Sequence, residues 1–145
     1  MRQTKNILIA PLNWGLGHAA RCIPIIKNLQ QQGHRIIIAS DGAALAFLKA
    51  EFPDLSFEKL PAYHITYARK PRLNIWHLWR QMPHVLNVIR QERQKTKALI
   101  QKHRIDVLIS DNRFGVYAPQ VKSIYITHQL QVLSCLLYTS PSPRD

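Results

Sequence analysis

The stretch WGLGHAAR, Trp14 to Arg21, sets a histidine and an arginine three residues apart directly behind two glycines. Glycines so placed let the backbone approach a phosphate or a sugar, and a histidine at the mouth of a helix suits a neutral, proton-accepting imidazole. His18 is therefore a candidate general base; the plainer reading is that it caps the helix or ties down the loop. Far downstream, SDNRFG, Ser110 to Gly115, offers the carboxylate such a base needs. Asp111 would orient and charge-stabilise His18, or would cap the turn beginning at Asn112. Arg113 would reach a phosphate from the same loop, and His128 would meet a ligand from the next strand end, although a lone histidine after a strand also serves structure. Asn13, Gly15, Gly17, Arg21 and Asn112 complete the candidate cleft.

Gly15, Gly17 and Ala20 also spell G-x-G-x-x-A, the phosphate turn of dinucleotide enzymes, and Asp41 stands where such enzymes hold a ribose hydroxyl. That fingerprint turns tightly from strand to glycine, whereas PLNW intervenes here. An NAD(P)-dependent oxidoreductase remains the alternative enzyme class. His77 and His84 lie seven apart on a helical segment, but Pro83 breaks their register and no carboxylate completes a ligand set. Cys22 and Cys135 have neither metal-ligand nor disulfide-scaffold spacing. No metal and no resident cofactor is expected.

The elements that must position these residues follow from hydropathy. Asn6 to Leu12 reads as a buried strand, His18 to Gln32 as a helix ended by Gly33, and His34 to Ser40 as a second strand, a right-handed parallel crossover in length. Pro24 is tolerated best in a first helical turn, so this helix is expected to start late. Gly42 to Phe52 is a second helix stopped by Pro53, and LSFEKL a third strand. A long helical region then runs to about His103, with Pro83 expected to kink or split it. Its apolar positions, Trp76, Trp79, Leu86, Ile89, Leu99 and Ile100, suggest a core-facing side, and RQERQKTK a solvated one. Trp76, Trp79 and Arg80, behind Arg69, Lys70 and Arg72, also carry the mark of an interfacial segment, so peripheral contact with an anionic membrane stands beside core packing. Strands at Val107 to Ser110 and Ile124 to Thr127 follow. The result is an α/β, Rossmann-like, mostly parallel sheet flanked by helices.

The chain has 145 residues, about one domain, and 46% hydrophobic content, enough for a real core. It shows neither a secretory leader nor a membrane-spanning run and reads as cytoplasmic. Twenty Lys and Arg against eight Asp and Glu give +12, which favours phosphates, acidic lipid or nucleic acid as partners. No nucleic-acid module is recognisable. A basic binding module for membranes or nucleic acid is the non-enzymatic alternative.

APLNWGLGHAARCIPI, together with DVLISDNRFG and IYITHQL, resembles the N-terminal half of a GT-B glycosyltransferase, close to bacterial proteins distantly related to the MurG-type N-acetylglucosaminyltransferases. The likeness runs from Ile7 to Leu130. It implies a two-domain enzyme whose N-terminal domain binds the acceptor and whose C-terminal domain holds most of a nucleotide diphosphate sugar. It further implies inverting, metal-independent transfer of a sugar, UDP-linked, to a glycolipid or polysaccharide of the cell envelope, at the inner face of the membrane. Residues 1–133 would be the first of those domains, incomplete, with the donor domain absent and the fragment inactive alone. The closing residues 134–145, SCLLYTSPSPRD from Ser134, resemble a translated sequencing-adapter tail; a disordered native terminus is the other reading of their composition.

Overall fold

The computed structural model describes residues 3–64 and 74–127. In chain order it contains β1 (Asn6–Pro11), α1 (Gly17–Gln31), β2 (Arg35–Ser40), α2 (Gly42–Glu51), β3 (Ser56–Lys59), α3 (Asn74–His103), β4 (Val107–Asp111) and β5 (Lys122–Ile126). The strands form one sheet in the order β3-β2-β1-β4-β5. All four pairings are parallel.

β1 and β2 are isoleucine-rich because both sheet faces are covered. Alternate residues serve two cores. Ile7, Ile9, Ile36 and Ile38 pack with Ala19, Cys22 and Ile26 of α1 and with Ala44 and Leu48 of α2. Leu8, Ala10, Ile37 and Ala39 face the other way, with Leu99 of α3 and Val116. The central strands are therefore clamped between layers, which fixes their register and the position of everything at their ends.

The helices depart from expectation in three places. α1 begins at Gly17 and carries Pro24 in its interior. Proline there removes one helical donor, but Ala20 and Pro24 both face solvent, where water can serve the orphaned carbonyl. α3 likewise runs on through Pro83 for 30 residues without a break. Its sides follow the apolar pattern only in part: Leu99 is in the core with Ile100 packed against it, but the tryptophans are not. Trp76 and Trp79 are 74% and 69% exposed, while Glu92 and Thr96, inside RQERQKTK, are wholly buried. Only the C-terminal part of α3 packs on the sheet, and there Arg113 draws Glu92 inward.

Candidate active site

Pro11 of β1 pairs with Asp111 of β4. The loops leaving these strands therefore emerge side by side at the carboxyl edge of the sheet, where strand order reverses, the usual ligand position in open α/β sheets. The loop after β1 turns at Gly15, with φ of +72°, a value suited to glycine. A Cβ at Gly15 or Gly17 would meet nothing within 4 Å, so the backbone is open to an approaching group.

Asp111 closes β4 and is fully buried. Its carboxylate contacts are all on α1. His18 Nδ1 lies 3.0 Å from Oδ1, Arg21 Nε donates to Oδ2 at 2.6 Å, and Arg21 Nη2 donates to Oδ1. The structure thus joins His18 and Arg21, three residues apart on α1, to a residue ninety or more positions away, and directs the Asp111 side chain to the helix rather than to the turn at Asn112. A carboxylate only accepts, so the His18 contact is a hydrogen bond when Nδ1 carries the proton, the tautomer that makes Nε2 the accepting nitrogen. Arg21 Nη2 is also 3.0 Å from Nδ1 and would serve the other tautomer. Arg21 supplies the cation without which a buried carboxylate would cost several kcal/mol. In return the Asp111 hydrogen bond raises the Arg21 pKa above its ordinary value, outweighing the opposing effect of burial.

One residue on, Asn112 adopts φ of +57°, which asparagine tolerates, and lines a cavity of about 210 Å³. Asn13, Trp14, Asp41, Tyr63, His64 and Phe114 form other walls. Asn13 also caps α2: its Oδ1 accepts from Ala44 N at 3.1 Å while its Nδ2 donates to Asp41 Oδ2 at 3.1 Å. This is why Gly42, with φ of +52°, starts the helix, since a Cβ there would run into the Asn13 amide.

Two sequence expectations change here. Arg113 does not reach for a phosphate. It is completely buried, with Nε donating to Pro11 O at 2.9 Å, Nη1 to Glu92 Oε1 at 2.7 Å and to Pro61 O at 3.2 Å, and Nη2 to Asp41 Oδ1. Every arm of the guanidinium is used internally, and it acts as a bracket behind the cavity. Asp41, for its part, spends one oxygen on Arg113 and the other on Asn13 and is 5% exposed. That geometry argues against a ribose-binding carboxylate and so against the dinucleotide alternative.

Glu92 and Tyr63 are the functional neighbours that sequence reasoning missed. Glu92 Oε2 accepts from Gly115 N at 2.9 Å and from the Tyr63 hydroxyl. Burial, reinforced by the Glu92 charge, pushes the Tyr63 phenol well up, so it remains a donor. The available signal was the isolation of Glu92, the lone acid between Glu58 and Asp106 in a strongly basic tract. His128 lies outside the described residues. Among the described residues, no three His, Cys, Asp or Glu side chains gather as metal ligands, and no helix is long and apolar enough to cross a membrane.

A parallel α/β sheet with this order, flanked by helices, is the fold of the N-terminal domain of GT-B glycosyltransferases. The chain belongs to Glycosyl transferase family 1, whose sequence profile matches residues 5–135. Similar solved structures include the glycosyltransferase SsfS6 of Streptomyces sp. SF2575, with a TM-score of 0.52, 15% identity, and coverage of 76% of this chain and 34% of that one. A glycosyltransferase from Rickettsia africae ESF-5 gives 0.55, 17%, 86% and 30% in the same terms. The calicheamicin glycosyltransferase CalG4 gives 0.55, 16%, 76% and 27%. The chain spans about a third or less of the length of these proteins. No curated protein sequence matches it significantly.

Proposed function

We propose that the chain is the acceptor-side domain of a glycosyltransferase that moves a sugar from a nucleotide diphosphate donor, UDP-linked, to a glycolipid or polysaccharide acceptor. The observation that carries this reading is the His18 Nδ1 to Asp111 Oδ1 contact of 3.0 Å at the open Gly15–Gly17 loop. In this reading an acceptor hydroxyl gives its proton to His18 Nε2 as its oxygen attacks the anomeric carbon. The bond from that carbon to the diphosphate oxygen breaks, the diphosphate leaves with the electron pair, and configuration inverts without a resident metal. Asp111 holds the imidazole in the required tautomer and steadies its positive charge, and Arg21 keeps Asp111 in place. The cavity walled by Trp14, Tyr63 and Phe114 gives the acceptor an aromatic surface beside the amides of Asn13 and Asn112.

A second, donor-binding domain would complete the enzyme, in keeping with the much greater length of the similar structures. The test is transfer from a panel of UDP-hexoses and UDP-N-acetylhexosamines, measured for this chain and for the uninterrupted parent protein. Transfer is expected only from the parent, with His18→Ala lowering its kcat about 100-fold or more. Full turnover in that variant would overturn the assignment of the base, and robust transfer by the 145-residue chain would overturn the need for a second domain.

A further inference from the structure

The cavity at the sheet edge differs in charge from the molecule around it. The protein carries +12, yet among the described residues no lysine or arginine lines this cavity, and its one acid is Asp41. Directly behind the walls lie two carboxylates and one guanidinium. Arg113 Nη2 donates to Asp41, and Arg113 Nη1 donates to Glu92 Oε1 at 2.7 Å. The other Glu92 oxygen accepts from the hydroxyl of Tyr63, which forms part of the wall. One cation against two anions leaves the cluster with an excess negative charge. Glu92 and Arg113 are wholly buried, so water and salt screen that charge little, and it disfavours an anion in the cavity however basic the outer surface is.

The groups that the walls offer a ligand are uncharged. Asn13 and Asn112 present side-chain amides, each both donor and acceptor, which is what hydroxyl groups require. The Asn13 amide nitrogen has two hydrogens, of which Asp41 takes one, and Asn112 Oδ1 receives only a long contact of 3.4 Å from the Tyr125 hydroxyl. Phe114 is 63% exposed and is braced by stacking on Tyr125, with ring centroids 6.1 Å apart. With Trp14 it gives the C–H side of a ring an apolar surface. A cavity of about 210 Å³ is smaller than the roughly 300–1,000 Å³ of sites for drug-sized ligands, so it holds one ring. Hydroxyls at the edge, an apolar face and no charge describe a neutral pyranose.

We infer that this cavity is a selective subsite for one uncharged pyranose ring of the acceptor, and that the Asp41–Arg113–Glu92 cluster behind it excludes sugars bearing a carboxylate or a phosphate. The choice of a sugar rests on the transferase reading, whereas the exclusion of anions rests on the cluster.

The 145-residue chain, in a Trp76→Phe/Trp79→Phe background that leaves Trp14 as the only tryptophan, is titrated at constant ionic strength. The probes are methyl glycosides of glucose, galactose and mannose, those of the corresponding uronic acids, and uridine. At least one neutral glycoside is expected to change the Trp14 emission saturably, and its uronic counterpart to bind about tenfold or more weakly. Phe114→Ala and Asn112→Gly should each weaken the neutral sugar about tenfold. Phe114 is exposed and the Asn112 φ of +57° suits glycine, so both variants keep the fold, and circular dichroism checks this. Glu92→Gln, which removes the excess charge but keeps an oxygen for Arg113, should narrow the preference for the neutral sugar about threefold or more. The inference is overturned if no neutral glycoside binds, if the uronic acids bind as well as their neutral counterparts, or if uridine binds more tightly than any glycoside. It is equally overturned if both cavity variants bind like their parent, or if a folded Glu92→Gln variant keeps the whole preference. His18-dependent transfer by the longer parent protein onto an acceptor ending in a uronic acid would sink this subsite and leave the transferase reading intact. A parent protein without transfer whose cavity still prefers neutral sugars would sink that reading and leave a sugar-binding site.

Discussion

Cys22 shows how the surroundings of Asp111 treat a neighbouring ionisable group. Burial, with the Asp111 carboxylate adding to it, pushes this thiol up to about 12, and its Sγ lies 3.9 Å from Asp111 Oδ2. The thiolate, which is the reactive form, is therefore scarce in the folded protein near pH 8. In a Cys135→Ser variant, iodoacetamide should leave Cys22 unlabelled under native conditions and label it promptly in urea; labelling at the rate of a free thiol without urea would contradict the burial described. His18 and Asp111 were legible from sequence because glycines ahead of a helix and a carboxylate ending a strand both point to the same sheet edge. Arg113 was not. A cation in a basic chain looks like a surface group unless its buried partners are known, and Glu92 and Asp41 reach it from other elements.

At the scale of elements, the strands and their mostly parallel arrangement follow from the apolar runs, and the C-terminal end of α1 and both ends of α2 fall within a residue of the sequence reading, whereas the late start expected for α1 does not occur. α3 is where pattern misleads. Helical periodicity reveals that one side is apolar but not which length of it meets the sheet, so Trp76 and Trp79 resemble core residues until the packing is seen. The end of this helix is tied to β3, where Glu58 accepts from Lys102 Nζ at 2.5 Å and sits 2.7 Å from His103 Nε2. Burial alone would raise the Glu58 pKa, but the hydrogen bonds from Lys102 and His103 prevail and it is lowered. A carboxylate with a depressed folded pKa contributes stability that is complete above its unfolded value, near ~4.3, and that disappears as pH falls through the lowered folded value. Glu58→Gln should therefore flatten the acid side of a stability profile measured by urea unfolding between about pH 5 and pH 2, while leaving its slope at neutral pH unchanged. An unaltered acid limb would show that the pair contributes nothing measurable.

Across the whole molecule, Arg113 is the point where β1, α3, the residue that precedes α2 and the segment after β3 meet. Arg113→Met keeps much of the volume but strands two buried carboxylates, at a cost of about 3–5 kcal/mol in urea unfolding. Adding Asp41→Asn and Glu92→Gln should recover part of that loss; no recovery would mean that shape rather than charge makes the bracket. The pairing of Pro11 with Asp111 also has a temporal side, because the two residues are separated by one hundred positions. During synthesis β1, β2 and β3 can associate while β4 is still unmade, and closing so long a loop comes late. Until then His18 has no Asp111, Asp41 has no Arg113, and one edge of β1 has no neighbour. A ribosome that pauses between β3 and β4 holds a half-sheet with that edge bare, so the nascent β1 edge, rather than the finished surface, is where misassembly would begin.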